Sequence, residues 1–426
     1  MTAILSETLA IDGGTPVRDA KTRSWVQWPI YDETEEKALL DVLRSGQWWS
    51  VGGEQGAAAE QEFAAMQDAK YAVACANGTV ALEIVLRALG VGCGDEVIVP
   101  PYTFVATASA VLAVGATPVF VDIQGDTWNI DPLLIEPAIT SRTKAIIPVH
   151  IAGRPADMDA ILEIAKRHSL YVIEDAAQAH GAAWRGTRVG ALGHFGTFSF
   201  QASKNVNSGE GGMIVSNDEE LADAAWSVTN VGRVRSGRWY EHRVLGGNYR
   251  LTEFQSAILR TQLARLPEQN ARRATNAAYL RRLLNSVPGI LLAYDDPRIT
   301  THANHLFTFR VVFEAFGGKS HDEFLAALEA EGIPCSAGYV PLYKEGLFAR
   351  VAQKSGAWCQ AARHIDYPNL NLPVCEQICR DTVWLQQYQL LGTPQDMEDI
   401  ATAIARIQKE WEKKRNHGEH RGHGEK

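Results

Sequence analysis

The chain has 426 residues, of which 46% are hydrophobic and 21% charged. This is ordinary globular usage and enough for two or three structural units with at least one large core. A formal charge of −9 argues against nucleic acid as the main partner, because a phosphate backbone selects basic surface.

Residues 1–30 read as an arm, with Gly13-Gly-Thr-Pro16 as a turn. The first residues, Met-Thr-Ala-Ile-Leu-Ser-Glu, show neither a basic region nor a long apolar run, so no signal peptide is expected. A helix is predicted over 33–45, followed by the glycine- and tryptophan-rich loop Ser45-Gly-Gln-Trp48-Trp49-Ser-Val-Gly-Gly53. Short β-branched runs then alternate with amphipathic helices. Strands are predicted at 71–75, 96–99, 118–122, 145–150, 171–174, 196–200 and 213–216, with helices at 80–89 and 157–168 among them. The apolar stretch 102–121 is interrupted by Thr103, Thr107, Ser109, Gly115, Thr117 and Pro118. It therefore reads as a buried helix and a strand rather than a membrane span.

A long helical pattern covers 252–286. After Pro288 come a strand at 305–313, a helix at 321–331 and a final helix at 395–412. The expected architecture is α/β: a large domain, 31–287, with a mostly parallel mixed sheet between helices, and a smaller α+β C-terminal domain, 288–412. The charged tail 413–426 lacks apolar anchors and is expected to be disordered, its His417, His420 and His423 being flexible rather than a metal site. Six cysteines, at 75, 93, 335, 359, 375 and 379, form no CxxC pair. They read as reduced thiols of a cytoplasmic protein, and no metal is expected.

Chemistry-bearing residues cluster where strands end, which is where open α/β sheets bind ligands. Asp175 closes an apolar strand and could hold a protonated ring nitrogen, although an aspartate there is also a common turn former. Gln178 follows three residues later. Lys204 lies in Phe198-Ser-Phe-Gln-Ala-Ser-Lys204-Asn-Val-Asn-Ser-Gly-Glu-Gly-Gly212, apolar and glycine-rich surroundings that suit a partly desolvated amine. Gly78 and Thr79 open a predicted helix, a natural phosphate site, and Ser199 could add a hydroxyl. The absence of GxGxxG at this turn argues against a nicotinamide dehydrogenase. Phe104 could stack on a flat ring or pack in the core, and Asn248 precedes a helix that it could simply cap. A set of amine, carboxylate, phosphate donors, flat group and amide is what pyridoxal 5'-phosphate requires.

Seven ordered blocks resemble the DegT/StrS-type sugar aminotransferases. They begin Asn77-Gly-Thr-Val-Ala-Leu-Glu83, Gly94-Asp-Glu-Val-Ile-Val-Pro100, Tyr102-Thr-Phe-Val-Ala106 and Pro148-Val-His-Ile-Ala-Gly153. Ile173-Glu-Asp-Ala-Ala-Gln-Ala-His-Gly181, the Lys204 stretch and Gly247-Asn-Tyr-Arg-Leu-Thr-Glu-Phe-Gln255 complete them. The resemblance implies the aspartate aminotransferase architecture, fold type I. It also implies a pyridoxal 5'-phosphate held on Lys204 that passes through a pyridoxamine 5'-phosphate form. Asp175 would pair with the pyridine nitrogen, Gln178 would contact the phenolic oxygen, Phe104 would stack, and Gly78, Thr79 and Ser199 would hold the phosphate. Asn248 would reach the phosphate of a neighbouring subunit, hence a homodimer with shared active sites. An amino donor, glutamate or glutamine, and a keto acceptor would react by ping-pong kinetics.

Lysine at 204, where some members carry histidine and dehydrate instead, favours transamination. Gln201, Gln47-Trp48-Trp49 and Trp384-Leu-Gln-Gln-Tyr-Gln-Leu-Leu-Gly392 place the chain nearest the keto-cyclitol and 3-amino-5-hydroxybenzoate synthase branches. Gln386-Gln387, where cyclitol members often have two histidines, departs from that branch. Candidate substrate residues are Trp48, Trp49, Gln201, His180 and Tyr339. The leading expectation is an aminotransferase for a keto-sugar or keto-cyclitol. An aminohydroxybenzoate synthase or nucleotide-sugar aminotransferase is the alternative, and a non-catalytic cofactor-binding regulator stands last.

Overall fold

The structure, a computed structural model, describes residues 8–19, 21–353 and 365–421. Its β-branched runs meet in one seven-stranded sheet. The strands are β1 (Tyr71–Cys75), β2 (Glu96–Val99), β3 (Thr117–Phe120), β4 (Thr143–Ile146), β5 (Tyr171–Asp175) and, after the short β6 (Ala183–Trp184) and β7 (Thr187–Arg188), β8 (Phe195–Ser199) and β9 (Gly212–Ser216). The order across the sheet is β1-β9-β8-β5-β4-β2-β3, and β9 alone runs against the others. The parallel strands therefore end along one edge, which carries every strand-end candidate residue.

Alternate residues of each strand enter opposite cores, as the two-residue period requires. Val97, Val99, Ile173 and Ile214 join one cluster, and Ile98, Val172, Met213 and Val215 the other. Helices Gly78–Ala88, Ala106–Ala113 and Glu219–Thr229 supply side chains to the first face. Helices Met158–His168 and Glu54–Met66, with the first half of helix Glu253–Leu284, cover the second. The stretch 102–121 does form a buried helix and then β3.

Helix Glu54–Met66 begins without a side-chain cap of its own, at Gly53. Its free N–H groups are met instead by Glu253, whose carboxylate accepts from Gln55 and Gly56, each at 2.8 Å. Within the helix, Glu60 accepts from the Ala74 N–H at 2.8 Å. Burial pushes its carboxyl up from 4.5 to about 7. A carboxyl raised on folding stabilises the fold fully below pH 4.5, and that contribution is lost as pH rises through 7. Glu60→Gln, which keeps the accepting oxygen, should match the wild type near pH 4.5 and gain roughly 1–3 kcal/mol over it at pH 8. Urea unfolding at the two pH values measures this; equal stabilities at pH 8 would refute it.

A second, antiparallel sheet has the order β10-β12-β14-β13, from β10 (Ile290–Leu292), β12 (Leu306–Val311), β13 (Ser336–Ala337) and β14 (Thr382–Gln386). The remaining β11 (Ile299–Thr301) joins β6 and β7 in a small side sheet. The core of the second sheet gathers Phe307, Phe309, Leu385, Ile404 and Trp411 with Leu280 and Leu284 from the end of helix Glu253–Leu284. That helix thus serves two cores and runs unbroken through Pro267.

The N-terminal arm is docked: Leu9 lies in the second core, Ala10 and Val17 donate to the Glu331 carboxylate at 2.9 Å each, and Arg18 pairs with Asp396 and Asp399. One expectation changes, that of a disordered tail. The final helix, Pro394–Arg421, continues past residue 412. Trp411 anchors it to the core, and Lys414 pairs with Asp12 at 2.7 Å, so charged residues placed in the tail extend an established helix. His423 lies outside the described residues. No helix among the described residues is long and apolar enough to cross a membrane.

Candidate active site

The edge where the parallel strands end brings Gly78, Phe104, Asp175, Gln178, Ser199 and Lys204 onto one side of the large sheet. At the end of β1, Asn77 caps helix Gly78–Ala88 by accepting from Val80 at 2.9 Å, which leaves the first N–H groups of that helix facing the loop after β8. Gly78 is packed so tightly on Ser199 that a side chain there would place its Cβ 2.8 Å from the serine Cβ. Phe104, beyond the end of β2, keeps 56% of its surface exposed, which is unusual for a large aromatic beside a sheet.

Asp175 ends β5 and is buried. Its carboxylate accepts from Thr107 Oγ1 at 2.8 Å and the Ala177 N–H at 3.3 Å, and burial raises its pKa above the ordinary value. No ion pair to Asp175 occurs among the described residues. A buried carboxylate without a cation is costly, so the position is suited to a positively charged guest. Thr103 supports Thr107 through a 2.9 Å hydroxyl contact. In the sequence both threonines interrupt an apolar run, and their spacing of four across a helix start is the signal for this pair.

Lys204 sits on a turn built by its neighbours. Its N–H donates to the Gln201 carbonyl at 2.9 Å, and Gln201 Oε1 accepts from Ser203 N–H and Oγ at 2.9 and 2.7 Å. Trp28, from the arm, straps this loop through an Nε1–H bond to Ala202 O at 2.9 Å. Burial lowers the lysine amine to about 8, against the pull of the Asp175 carboxylate. Roughly a tenth is therefore neutral at pH 7, far more than for a solvated lysine.

Gln178 is held at both ends of its amide: Oε1 accepts from the Ala152 N–H at 2.7 Å, and Nε2 donates to Tyr339 Oη at 3.0 Å. Beneath the site, Glu174 and His150 are fully buried partners at 2.9 Å. His150 Nδ1 accepts from the Ala156 N–H at 3.0 Å, so Nε2 carries the proton donated to Glu174. Glu174 also accepts from Gly190, Leu192 and Gly193, and the pair is a brace for β5.

The substrate candidates separate. Tyr339 reaches the site through Gln178, and Gln201 shapes the lysine turn. His180 is closed off: it has no exposed surface, its ring packs among Phe63, Phe198 and Phe200, and burial lowers its pKa to about 3. As a neutral core histidine it offers no face to a substrate. Trp48 packs on Phe254, and Trp49 on Trp239 beneath Arg250, a cluster centred on the start of the long helix. Asn248 is exposed, and its segment runs beside the end of β1, where Ala76 N–H donates to Tyr249 O at 2.7 Å. His305, which no motif in the sequence marks, is buried near Lys204 and held by Asn205 Oδ1 at 3.1 Å.

Residues 29–408 match the model of the DegT/DnrJ/EryC1/StrS aminotransferase family. An L-glutamine:2-deoxy-scyllo-inosose aminotransferase of Streptoalloteichus tenebrarius is 39% identical over 432 residues, spanning 96% of this chain and 98% of its own. A 3-amino-5-hydroxybenzoate synthase of Amycolatopsis mediterranei is 38% identical over 392 residues, spanning 91% and 99%. The crystal structure of a 3-amino-5-hydroxybenzoic acid synthase aligns with a TM-score of 0.82 at 37% identity, covering 90% of this chain and 98% of that one.

Proposed function

The chain belongs to the DegT/DnrJ/EryC1/StrS aminotransferase family, and on that footing we propose that it is a pyridoxal-phosphate-dependent enzyme moving an amino group from glutamine or glutamate to a keto-cyclitol or keto-sugar. Its architecture is the expected fold type I. The observation that carries the cofactor reading is the placing of a desolvated lysine near a buried carboxylate that forms no direct ion pair among the described residues, at one sheet edge. The Gly78–Ser199 contact supports it, because it forms a cradle that a Cβ would disturb.

Lys204 would hold the cofactor, Asp175 its ring nitrogen, Gln178 its phenolic oxygen and Phe104 its ring face, with Gly78, Thr79 and Ser199 at the phosphate. When bound, the group supplies a carbonyl that carries the amino group between substrates and a ring that accepts an electron pair. Asp175 would keep the ring nitrogen protonated, since an opposite charge at contact favours the cation. The Lys204 amine, once freed by the donor, would take the proton from the donor carbon as a base and deliver it as an acid to the cofactor carbon, a role for which a pKa of about 8 is well placed. The arm's Trp28 and the Gln201 turn hold that amine in register.

Asn248 is proposed to serve the phosphate of a neighbouring copy in a homodimer. Its exposure agrees with this, as do the exposed Trp239, Tyr240 and Leu245 of the preceding loop, an apolar patch of the kind that marks association.

Purified protein with bound cofactor should lose its colour on adding glutamine and release a keto acid. A panel of keto-inositols, ketoses and nucleotide keto-sugars, read by mass spectrometry, should then show one amination product. Colour unchanged by glutamine and glutamate would overturn the reading. The second reading, amination with ring dehydration to an aminohydroxybenzoate, is favoured by the similarity to the 3-amino-5-hydroxybenzoic acid synthase structure. It would appear as a product that has lost water. Gly78→Ala should weaken cofactor retention about tenfold or more, the loss of one good phosphate hydrogen bond. Equilibrium dialysis measures it, and unchanged retention would remove Gly78 from the phosphate site.

A further inference from the structure

Gln178 and Tyr339 are 161 residues apart and meet at 3.0 Å. The amide cannot turn over without loss, because its oxygen already accepts from the Ala152 N–H at 2.7 Å and reversal would set N–H against N–H. The backbone is shaped for this contact. Ala152 is left-handed at φ 57°, and a Cβ on Gly153 would stand 2.7 Å from the Gln178 carbonyl oxygen.

The far partner is fixed as firmly. The Tyr339 ring is wedged edge-on against Tyr102, with centroids 5.4 Å apart, and against Trp384 at 4.6 Å. Trp384 Nε1–H donates to Tyr102 Oη at 3.1 Å. Gly338 lets the trio close, since a Cβ there would fall 2.4 Å from Tyr102 Oη. Three distant segments, after β2, after β13 and within β14, thus converge around the Tyr339 ring.

We infer that Tyr339 is a positioning residue: by accepting one N–H of the Gln178 amide, it leaves the other as a fixed donor to the phenolic oxygen of the cofactor. This rests on the reading that Lys204 carries pyridoxal phosphate. Tyr339 touches the cofactor's partner rather than the reacting atoms, so its removal should act through Gln178 alone.

The test uses full-length protein loaded with pyridoxal phosphate: wild type, Tyr339→Phe, Gln178→Ala and the double variant. The readout is the pH midpoint of the bound chromophore's colour change. A phenolic oxygen that loses part of an outside hydrogen bond holds the proton on the Lys204-linked nitrogen more tightly. Tyr339→Phe should therefore raise the midpoint by about half to one pH unit, and Gln178→Ala should raise it at least as far. The double variant should equal Gln178→Ala alone, since two members of one chain do not add. The other titratable or charged groups around that nitrogen, Asp175, His180 and His305 with Arg273 behind them, are the same in all four proteins. Phenylalanine keeps the aromatic trio, and an unfolding temperature near that of the wild type would show it. A Tyr339→Phe midpoint equal to the wild type, or shifts that add in the double variant, would overturn the inference. A wild-type protein that takes up no colour would overturn the cofactor reading, and the inference with it.

Discussion

Lys204→Ala is expected to lower the rate of keto-acid release from glutamine by at least about 10³-fold, within the range that a positioned general acid–base contributes. Two losses combine. The cofactor would lose its covalent anchor, and the donor carbon would lose the amine that the turn from Gln201 to Lys204 holds near Asp175. The effect should be confined to chemistry. Among the described residues the Lys204 side chain makes no hydrogen bond or ion pair, and removing a desolvated amine costs the fold little. Added methylamine or ethylamine should restore part of the rate, as an external base entering the vacated space. Stopped-flow absorbance with and without the amine decides this, and turnover near the wild-type level in Lys204→Ala would end the mechanistic assignment.

Asp175→Asn should separate activity from stability in opposite directions. With the ring nitrogen no longer held as a cation, the rate should fall on the order of 10²-fold. The cofactor-free protein should nevertheless be at least as stable as the wild type at pH 7. Burial raises the Asp175 pKa, so its stabilising contribution, complete below the 3.8 of a free aspartate, is lost as pH rises through the folded value. Asparagine is free of that loss and can keep both neighbours, its Oδ1 accepting from the Ala177 N–H and its Nδ2 donating to the Thr107 hydroxyl. Its advantage should vanish toward pH 4, which paired urea titrations would show. A variant both inactive and unstable at pH 7 would mean that Asp175 is a structural carboxylate.

Local pattern was enough to place β1 and β2 at their full length and the long helix within two residues at either end, because each is long or strongly apolar and has turn residues at its borders. Helix Glu54–Met66 was missed: its start is capped by Glu253, 198 residues on, and nothing nearby announces it. Strand β14 was missed because it follows helix Pro373–Asp381 with no turn residues between them. The site divides in the same way. Lys204, Asp175 and Gly78 were legible because each follows a recognisable strand. The Thr107–Asp175 and Gln178–Tyr339 bonds were not, since they join segments 68 and 161 residues apart. Trp48 and Trp49, about half exposed, have neighbours that no local pattern could give, Phe254 and Trp239.

Helix Glu253–Leu284 gives Leu259, Leu263 and Leu266 to the core of the large sheet and Leu280 and Leu284 to that of the small one. Neither core can lose its packing while leaving this rod intact. The arm adds a second tie, docking on Glu331 and Asp399 of the smaller unit while Trp28 reaches the lysine loop. Melting is therefore expected as a single cooperative transition, with one calorimetric peak for both cores.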